Sequence, residues 1–297
     1  MWFQGNLHCH STNSDGDSSP QAVARVYKDA GFHFVAVSDH NHLTTSEDCG
    51  DLGPDFLVLS ASEYSAKVGD VAVHVNGIGL TQPFVVSKDK DVPGTMQDAV
   101  DQTLAQGGVS MINHPNWLWS FGAKEMSQVR GAHLMELYAG AYTSNNEGSA
   151  TRPSSEAIWD DLLSRGIRLW GAGTDDCHKF LPTFNPFNDA PASAWVVVRA
   201  ESLTRENILN ALMAGDFYAT TRIMLDDLRA DRNGLSLKIK PWGKIEYTTT
   251  FIGKGGKVLS VADGLEPSYR IRGDEGYVRA RINCTDRLMA WTQPIFL

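Results

Sequence analysis

The chain has 297 residues, 42% of them hydrophobic. A large core is within reach of that composition, and because an α/β barrel of about 200 to 250 residues is usually one domain, a barrel with a small appendage fits the length. Its 26 Lys and Arg against 35 Asp and Glu give a formal charge of −9, which excludes a nucleic-acid polymer as the main partner, since such backbones are held by clustered cations.

In chain order, short apolar runs alternate with stretches of helical periodicity, the pattern of parallel βα units. Strands are predicted over Phe3 to His10, Phe34 to Asp39, Phe56 to Ser60, Val71 to Gly79, Gly108 to Asn113, His133 to Tyr138 and Arg168 to Thr174. Ser19-Pro20 supplies an N-cap and a first-turn proline for a helix with Val23, Val26, Tyr27 and Ala30 on its apolar stripe, ending at Gly31. A second helix opens at Thr95 and Asp98 and closes near Gly107, a third spans Ser155 to Arg165, and a fourth spans Thr204 to Ala214 before Gly215. The fold expected is an α/β, distorted seven-stranded (β/α) barrel, with the fourth strand returning as a hairpin. After about Arg222 helical periodicity gives way to short strands punctuated by Asn233-Gly234, Gly243, Gly253, Gly255-Gly256, Asp263-Gly264 and Gly273, so residues 1–222 are expected to form the barrel and 223–297 a small C-terminal antiparallel β domain.

Nine candidate metal ligands lie within this framework: His8, His10, Asp15, His40, Glu63, His74, His114, Asp176 and His178. His8 with His10, and Asp176 with His178, have the form ligand-x-ligand, and in an extended strand residues i and i+2 point to one side while Cys9 and Cys177 face the other. Most of the nine fall at or just past the C-terminal end of a predicted strand, where barrel enzymes assemble their sites. Burying so many ionisable groups singly would cost several kcal/mol each, so they must be paired or metal-bound. Imidazole and carboxylate without thiolate suit Zn, Mn or Fe and leave room for an activated water. No GxSxG elbow and no P-loop occurs, which removes the usual serine-hydrolase and NTPase signatures.

The ordered set GNLHCHSTNSDG, FVAVSDHNH, SASEY with Glu63, VHVNG with His74, NHP with His114, and TDDCH resembles the PHP family, named for polymerase and histidinol phosphatase. The resemblance runs from residue 5 to about 222, where ILNALMAGDFYATT also looks like the end of that domain. It implies a seven-stranded barrel with two to three divalent ions and phosphoester hydrolysis. Carried over by position, His8, His10, Glu63 and Asp176 would bind one ion, Glu63, His74 and His114 a second, and Asp15, His40 and His178 a third. The family often has histidine where this chain has Asp15. The barrel also resembles that of amidohydrolases, and a sub-branch sharing the strand-rich tail and the closing WTQPIF segment includes carbamate ester hydrolases.

The function expected is therefore a phosphomonoesterase or phosphodiesterase acting on a small organic phosphate through a metal-bridging hydroxide, with His114, Asp176 and His178 catalytic through the ions they hold. A metal-dependent carbamate, ester or amide hydrolase on the same site is the alternative, and a binding module with a structural metal core the second. Asp39 and Asp175 precede ligands and are candidates to orient them. Arg152, Lys179 and Arg222 are candidate phosphate-binding cations, Glu136 a candidate substrate contact or support for a ligand, and Trp117, beside Trp119 and Phe121, a candidate substrate wall. The expected partner is a small molecule, with no membrane and with room for an oligomer. Cys9, Cys49, Cys177 and Cys284 form no CxxC pair, no apolar run nears the roughly 20 residues of a membrane span, and no signal-peptide core follows Met1, so the expected compartment is the cytoplasm.

Overall fold

The computed structural model describes residues 1–88, 90–181 and 190–297. It is a mixed α/β fold with one large sheet and one small antiparallel sheet. The first part runs β1 (Trp2–Asn6), α1 (Pro20–Asp29), β2 (Phe34–Val37), α2 (Ser46–Cys49), β3 (Leu57–Val68), β4 (Val71–Ile78), α3 (Val92–Ala105), β5 (Val109–Ile112), α4 (Ala123–Met126), β6 (Leu134–Ala139), α5 (Ser155–Ser164) and β7 (Trp170–Thr174). It continues through β8 (Trp195–Arg199), α6 (Arg205–Ala214) and β9 (Phe217–Thr220), then β10 (Leu225–Ala230), β11 (Gly234–Ile239), β12 (Tyr247–Gly253), β13 (Lys257–Asp263), β14 (Ser268–Arg270), β15 (Tyr277–Cys284), β16 (Met289–Thr292) and β17 (Ile295–Phe296).

The predicted strands form, and β1 to β7 lie side by side in chain order. The pairs β1–β2, β2–β3, β5–β6 and β6–β7 are parallel, while β4 runs antiparallel to both neighbours. The hairpin between β3 and β4 turns at Gly69, whose φ of 59° a side chain would resist. Beyond the end of β1, the backbone continues into two hydrogen bonds with the segment after β7: Asp176 N–H to the His8 carbonyl at 3.0 Å, and His10 N–H to the Cys177 carbonyl at 2.9 Å. These bonds bring the ligand-bearing ends of the first and seventh strands together. The close approach of β1 to β2 requires Gly5, because a Cβ there would sit 2.2 Å from the Phe34 ring.

The helix starts follow capping chemistry. The Ser19 hydroxyl accepts from Ala22 N–H with Pro20 in the first turn, and Val23, Ala24 and Tyr27 are buried. Thr204 caps α6, which stops at left-handed Gly215. The helix expected from Thr95 begins three residues earlier, because Asp91 accepts from Gly94 N–H and serves as the N-cap.

Two strands, β8 and β9, were not among those predicted. They extend the large sheet antiparallel beyond β1. The strands after Arg222 are antiparallel, but they divide: β10, β11 and β14 make the small sheet, while β16 pairs with β9 and carries β15, β12 and β13 into the large sheet. The tail is tied to the first part by polar contacts as well as by apolar ones. Gln293 exchanges two 2.8 Å hydrogen bonds with the Gly171 backbone in β7. Fully buried Arg279 of β15 makes a two-point contact with Asp160 of α5, at 2.9 and 2.6 Å, where the Tyr277 hydroxyl also donates to Asp160 at 2.6 Å.

Candidate metal centre

All nine proposed ligands converge. Glu63 is at the middle, fully buried in β3, and nitrogens of His8, His10, His40, His74 and His114 lie 3.3, 3.7, 2.7, 3.2 and 3.6 Å from its carboxylate oxygens. Asp176 Oδ1 is 3.1 Å from His8 Nε2 and 3.2 Å from His10 Nε2. On the outer side, Asp15 reaches His178 at 3.4 Å, His40 at 3.5 Å and His10 at 3.7 Å, with its side chain 55% exposed. Four overlapping groups have ligand atoms mutually close enough for an ion: His10 with Asp15, His40 and His178; His8 with His10 and Glu63; His8 with His114 and Glu136; and His40 with Glu63 and His74. The grouping differs from the assignment by resemblance: His10 also joins the outer set, His40 also joins Glu63 and His74, His114 falls with His8 and Glu136, and Asp176 falls in none of the four.

The residues fit divalent ions. Buried Asp176 Oδ1 and His74 Nδ1 have ionic neighbours at short range but make no hydrogen bond, so their lone pairs are left for another partner. His8 Nδ1 lies 2.8 Å from Glu136, whose other oxygen accepts the His114 backbone N–H at 2.7 Å while Thr174 donates to the first. A proton held on Nδ1 leaves His8 Nε2 free as a ligand, and the Asp176 carbonyl does the same for His178, accepting from its Nδ1 at 3.0 Å. Asn113 donates to Glu63 at 2.6 Å and to Asn76 at 2.9 Å, fixing the central carboxylate.

Electrostatics record the same pairing. Burial opposes ionised carboxyls at Glu63 and Asp176, yet the facing imidazoles hold both well below the usual range. Burial likewise opposes charge on His40, but Asp15 and Glu63 raise it to about 10. His10 is pushed by burial down to about 4 despite Asp176.

One geometric expectation is corrected. Asp176 and His178 do not share the side of an extended strand, because β7 ends at Thr174 and Asp176 is left-handed, with φ of 50°. Asp is among the few residues that tolerate this region. The turn sends the Asp176 carboxylate inward and leaves Cys177 paired with Cys9 through the backbone, both fully buried as free thiols.

Asp39 and Asp175 are buried but touch no ligand imidazole. The Asp39 carboxylate accepts from Ser11 N–H, Ser11 Oγ, Ser14 Oγ and Thr44 Oγ1 at 2.6 to 2.8 Å, so it shapes the loop that carries Asp15. Its carbonyl accepts the Glu63 N–H at 3.0 Å. Asp175 is held by Tyr27, Asn6 and the Ala192 N–H, and burial pushes its carboxyl up to about 7.

The ligands open into a cavity of about 250 Å³ whose lining adds Trp117, Ala141 and Thr143. Trp117 packs with ring centroids 5.3 Å from both His74 and His114, as a wall of the site. Leu118 and Trp119, which follow it, are left-handed at φ of 52° and 58°, a strained loop of the kind found at functional mouths. Glu136 is buried behind His8 and His114 and does not line the cavity. Neither do Arg152, Lys179 or Arg222; all three are exposed, and Arg222 belongs to a separate groove. Asn113, Asn76 and Thr174 were passed over in the sequence, although Asn113 and Asn76 stand within the same short motifs as the ligands.

No family model matches the sequence, and no curated protein does. Among solved structures, a candidate metal-dependent phosphoesterase from Bifidobacterium adolescentis matches 63% of this chain and 92% of its own at 14% identity and a TM-score of 0.45. An amidohydrolase from Chromobacterium violaceum with bound sulfate and no metal matches 63% and 93% at 15% identity and a TM-score of 0.41. A two-domain protein from Bacteroides vulgatus containing a predicted PHP-like metal-dependent phosphoesterase matches 99% of this chain and 95% of its own, at 14% identity and a TM-score of 0.57. The resemblance to PHP proteins read from the sequence is therefore met at the level of fold, over nearly the whole of both chains.

Proposed function

We propose that the protein is a divalent-metal-dependent hydrolase of a small molecule, and that phosphoester hydrolysis is its reaction. The observation that carries this reading is Glu63, a buried carboxylate faced by five imidazoles at the floor of an open cavity. A closed structural site would leave no accessible face, whereas a catalytic one keeps an open position. The fold that accompanies the reading is a distorted seven-stranded barrel, and the hydrogen bonds joining the ends of β1 and β7 support it. Divalent ions held here, two to three of Zn, Mn or Fe, would lower the pKa of water and neutralise charge building on the scissile group.

The protein's own residues supply the positioning. Glu136 and the Asp176 carbonyl fix the protons of His8 and His178 on Nδ1, Asn113 holds Glu63, and Trp117 walls one side. One observation favours a second reading, hydrolysis of a carbamate, ester or amide: no Lys or Arg lines the cavity among the described residues, while an indole does. A less anionic substrate would need no added cation. The deciding experiment is a panel in which protein loaded with Mn, Zn or Fe meets aryl phosphomonoesters, phosphodiesters, carbamates, esters and amides. Chelator-sensitive turnover of phosphoesters is expected; turnover confined to carbonyl substrates transfers the same residues to carbonyl chemistry.

A further inference from the structure

A second concave site lies away from the metal centre, at the seam where the small sheet meets the large one. Residues following β9, the connection from β11 to β12, and the β15–β16 hairpin enclose a groove of about 230 Å³. Its floor is apolar, built from Met224, Ile245 and Leu288, with Trp242 standing 54% exposed over it. Two cations, Arg222 and Lys240, line it, and among the described residues no acidic side chain does. In a chain of net charge −9, a groove with two cations and no acid is a local reversal. Among the described residues neither cation has an ion pair or side-chain hydrogen bond.

Arg222 also carries backbone strain. Its φ is 130°, a region that belongs to glycine. The turn is fixed from both sides: Thr220 Oγ1 accepts the Arg222 N–H at 3.0 Å and donates to the Ile223 carbonyl at 2.7 Å. A glycine there would fold without that cost, so the guanidinium is what the position gains from arginine.

We propose that this groove binds a small amphiphilic carboxylate, its apolar body against Trp242 and Ile245 and its carboxylate between Arg222 and Lys240. An apolar pocket with a few convergent polar groups is the general form of a ligand site, and planar guanidinium matches a carboxylate in two-point contact. The volume falls below the roughly 300 to 1,000 Å³ of drug-sized sites, which selects a short alkyl chain or one ring.

Titration of the metal-loaded full chain with octanoate tests this. One saturable site is expected, with octan-1-ol weaker by about tenfold and with Arg222→Gly and Trp242→Ala each weakening octanoate by about tenfold. Arg222→Gly removes strain and should melt no lower than the parent. Cys284 lines the groove and is partly exposed, while the other three cysteines are buried, so octanoate should also slow its alkylation. The proposal is overturned by the absence of saturable binding, by equal affinity for octanol, or by octanoate affinity that survives both groove substitutions and falls with Glu63→Gln, which would place the carboxylate on the metal centre.

Discussion

Two buried clusters of charge lie in this molecule, and they are balanced in different ways. At the seam between α5 and β15, Arg279 meets Asp160 at 2.6 Å and Glu156 at 2.7 Å, and Arg281 meets Glu156 at 3.0 Å. Two cations answer two carboxylates, and the Trp159 ring lies 5.0 Å under the Arg279 guanidinium. At the metal centre the ionic partners of Glu63, Asp176, Asp15 and Glu136 among the described residues are histidines, which balance them only by taking up protons. The first cluster carries its countercharge within the protein. The second is built from groups that bind a proton or an ion with the same lone pairs, so its stability depends on what is bound.

The comparison breaks most visibly at Glu63. Glu63→Gln should lose bound metal in elemental analysis and lower turnover by several orders of magnitude, because one carboxylate serves several ligand sets. The same variant should lose the rise in melting temperature that metal gives the parent, which mass action sets at about 2.7 kcal/mol at a hundred times Kd. A variant that keeps its ions would show that Glu63 is not the bridge.

Arg279→Met tests the other cluster. It strands Asp160 and Glu156, and urea titration should show a loss of about 3–5 kcal/mol with metal content per folded chain unchanged. Truncation near Arg222 is expected to do worse, since Tyr277, Val278, Ala280, Ile282 and Trp291 are buried in the cores shared with the first part.

Glu136→Gln sharpens the boundary between holding an ion and orienting its ligand. Metal affinity should fall by about 10- to 100-fold through loss of the His8 contact, with the fold intact by circular dichroism. An unchanged affinity would reduce Glu136 to a packing role.

The smallest effect is one of pH. Burial pushes the Glu156 carboxyl up, but Arg279 and Arg281 pull it below the usual carboxylate range. A carboxyl lowered on folding adds stability that is fully present above its unfolded value, about 4.5, and is lost as pH falls through the folded one. The melting temperature of Glu156→Gln should therefore lie below the parent at neutral pH, with the gap closing in acid. A gap that widens in acid would reverse the assignment.

The sequence by itself determined the elements through β7, with α6, and the candidate ligands. Short apolar runs, capping residues such as Ser19 and Thr204, and glycines such as Gly215 act over a few residues, and their chemistry is readable locally. The nine candidate ligands were legible for the same reason: imidazoles and carboxylates recur at or near the ends of predicted strands. What only the tertiary structure decided depends on contacts far apart in the chain. Helix α3 starts where Asp91 can cap it, and β8, β9 and β16 join into one sheet across about 70 residues of intervening chain, a pairing that strand propensity does not encode. The left-handed turn at Asp176 appears only where β7 meets the end of β1. Glu136 has the composition of a substrate contact and the position of a ligand's support, and Arg222, which reads as a phosphate cation, faces a different groove. Residue type limits what a side chain can bind; direction and neighbours, set by packing, decide what it meets.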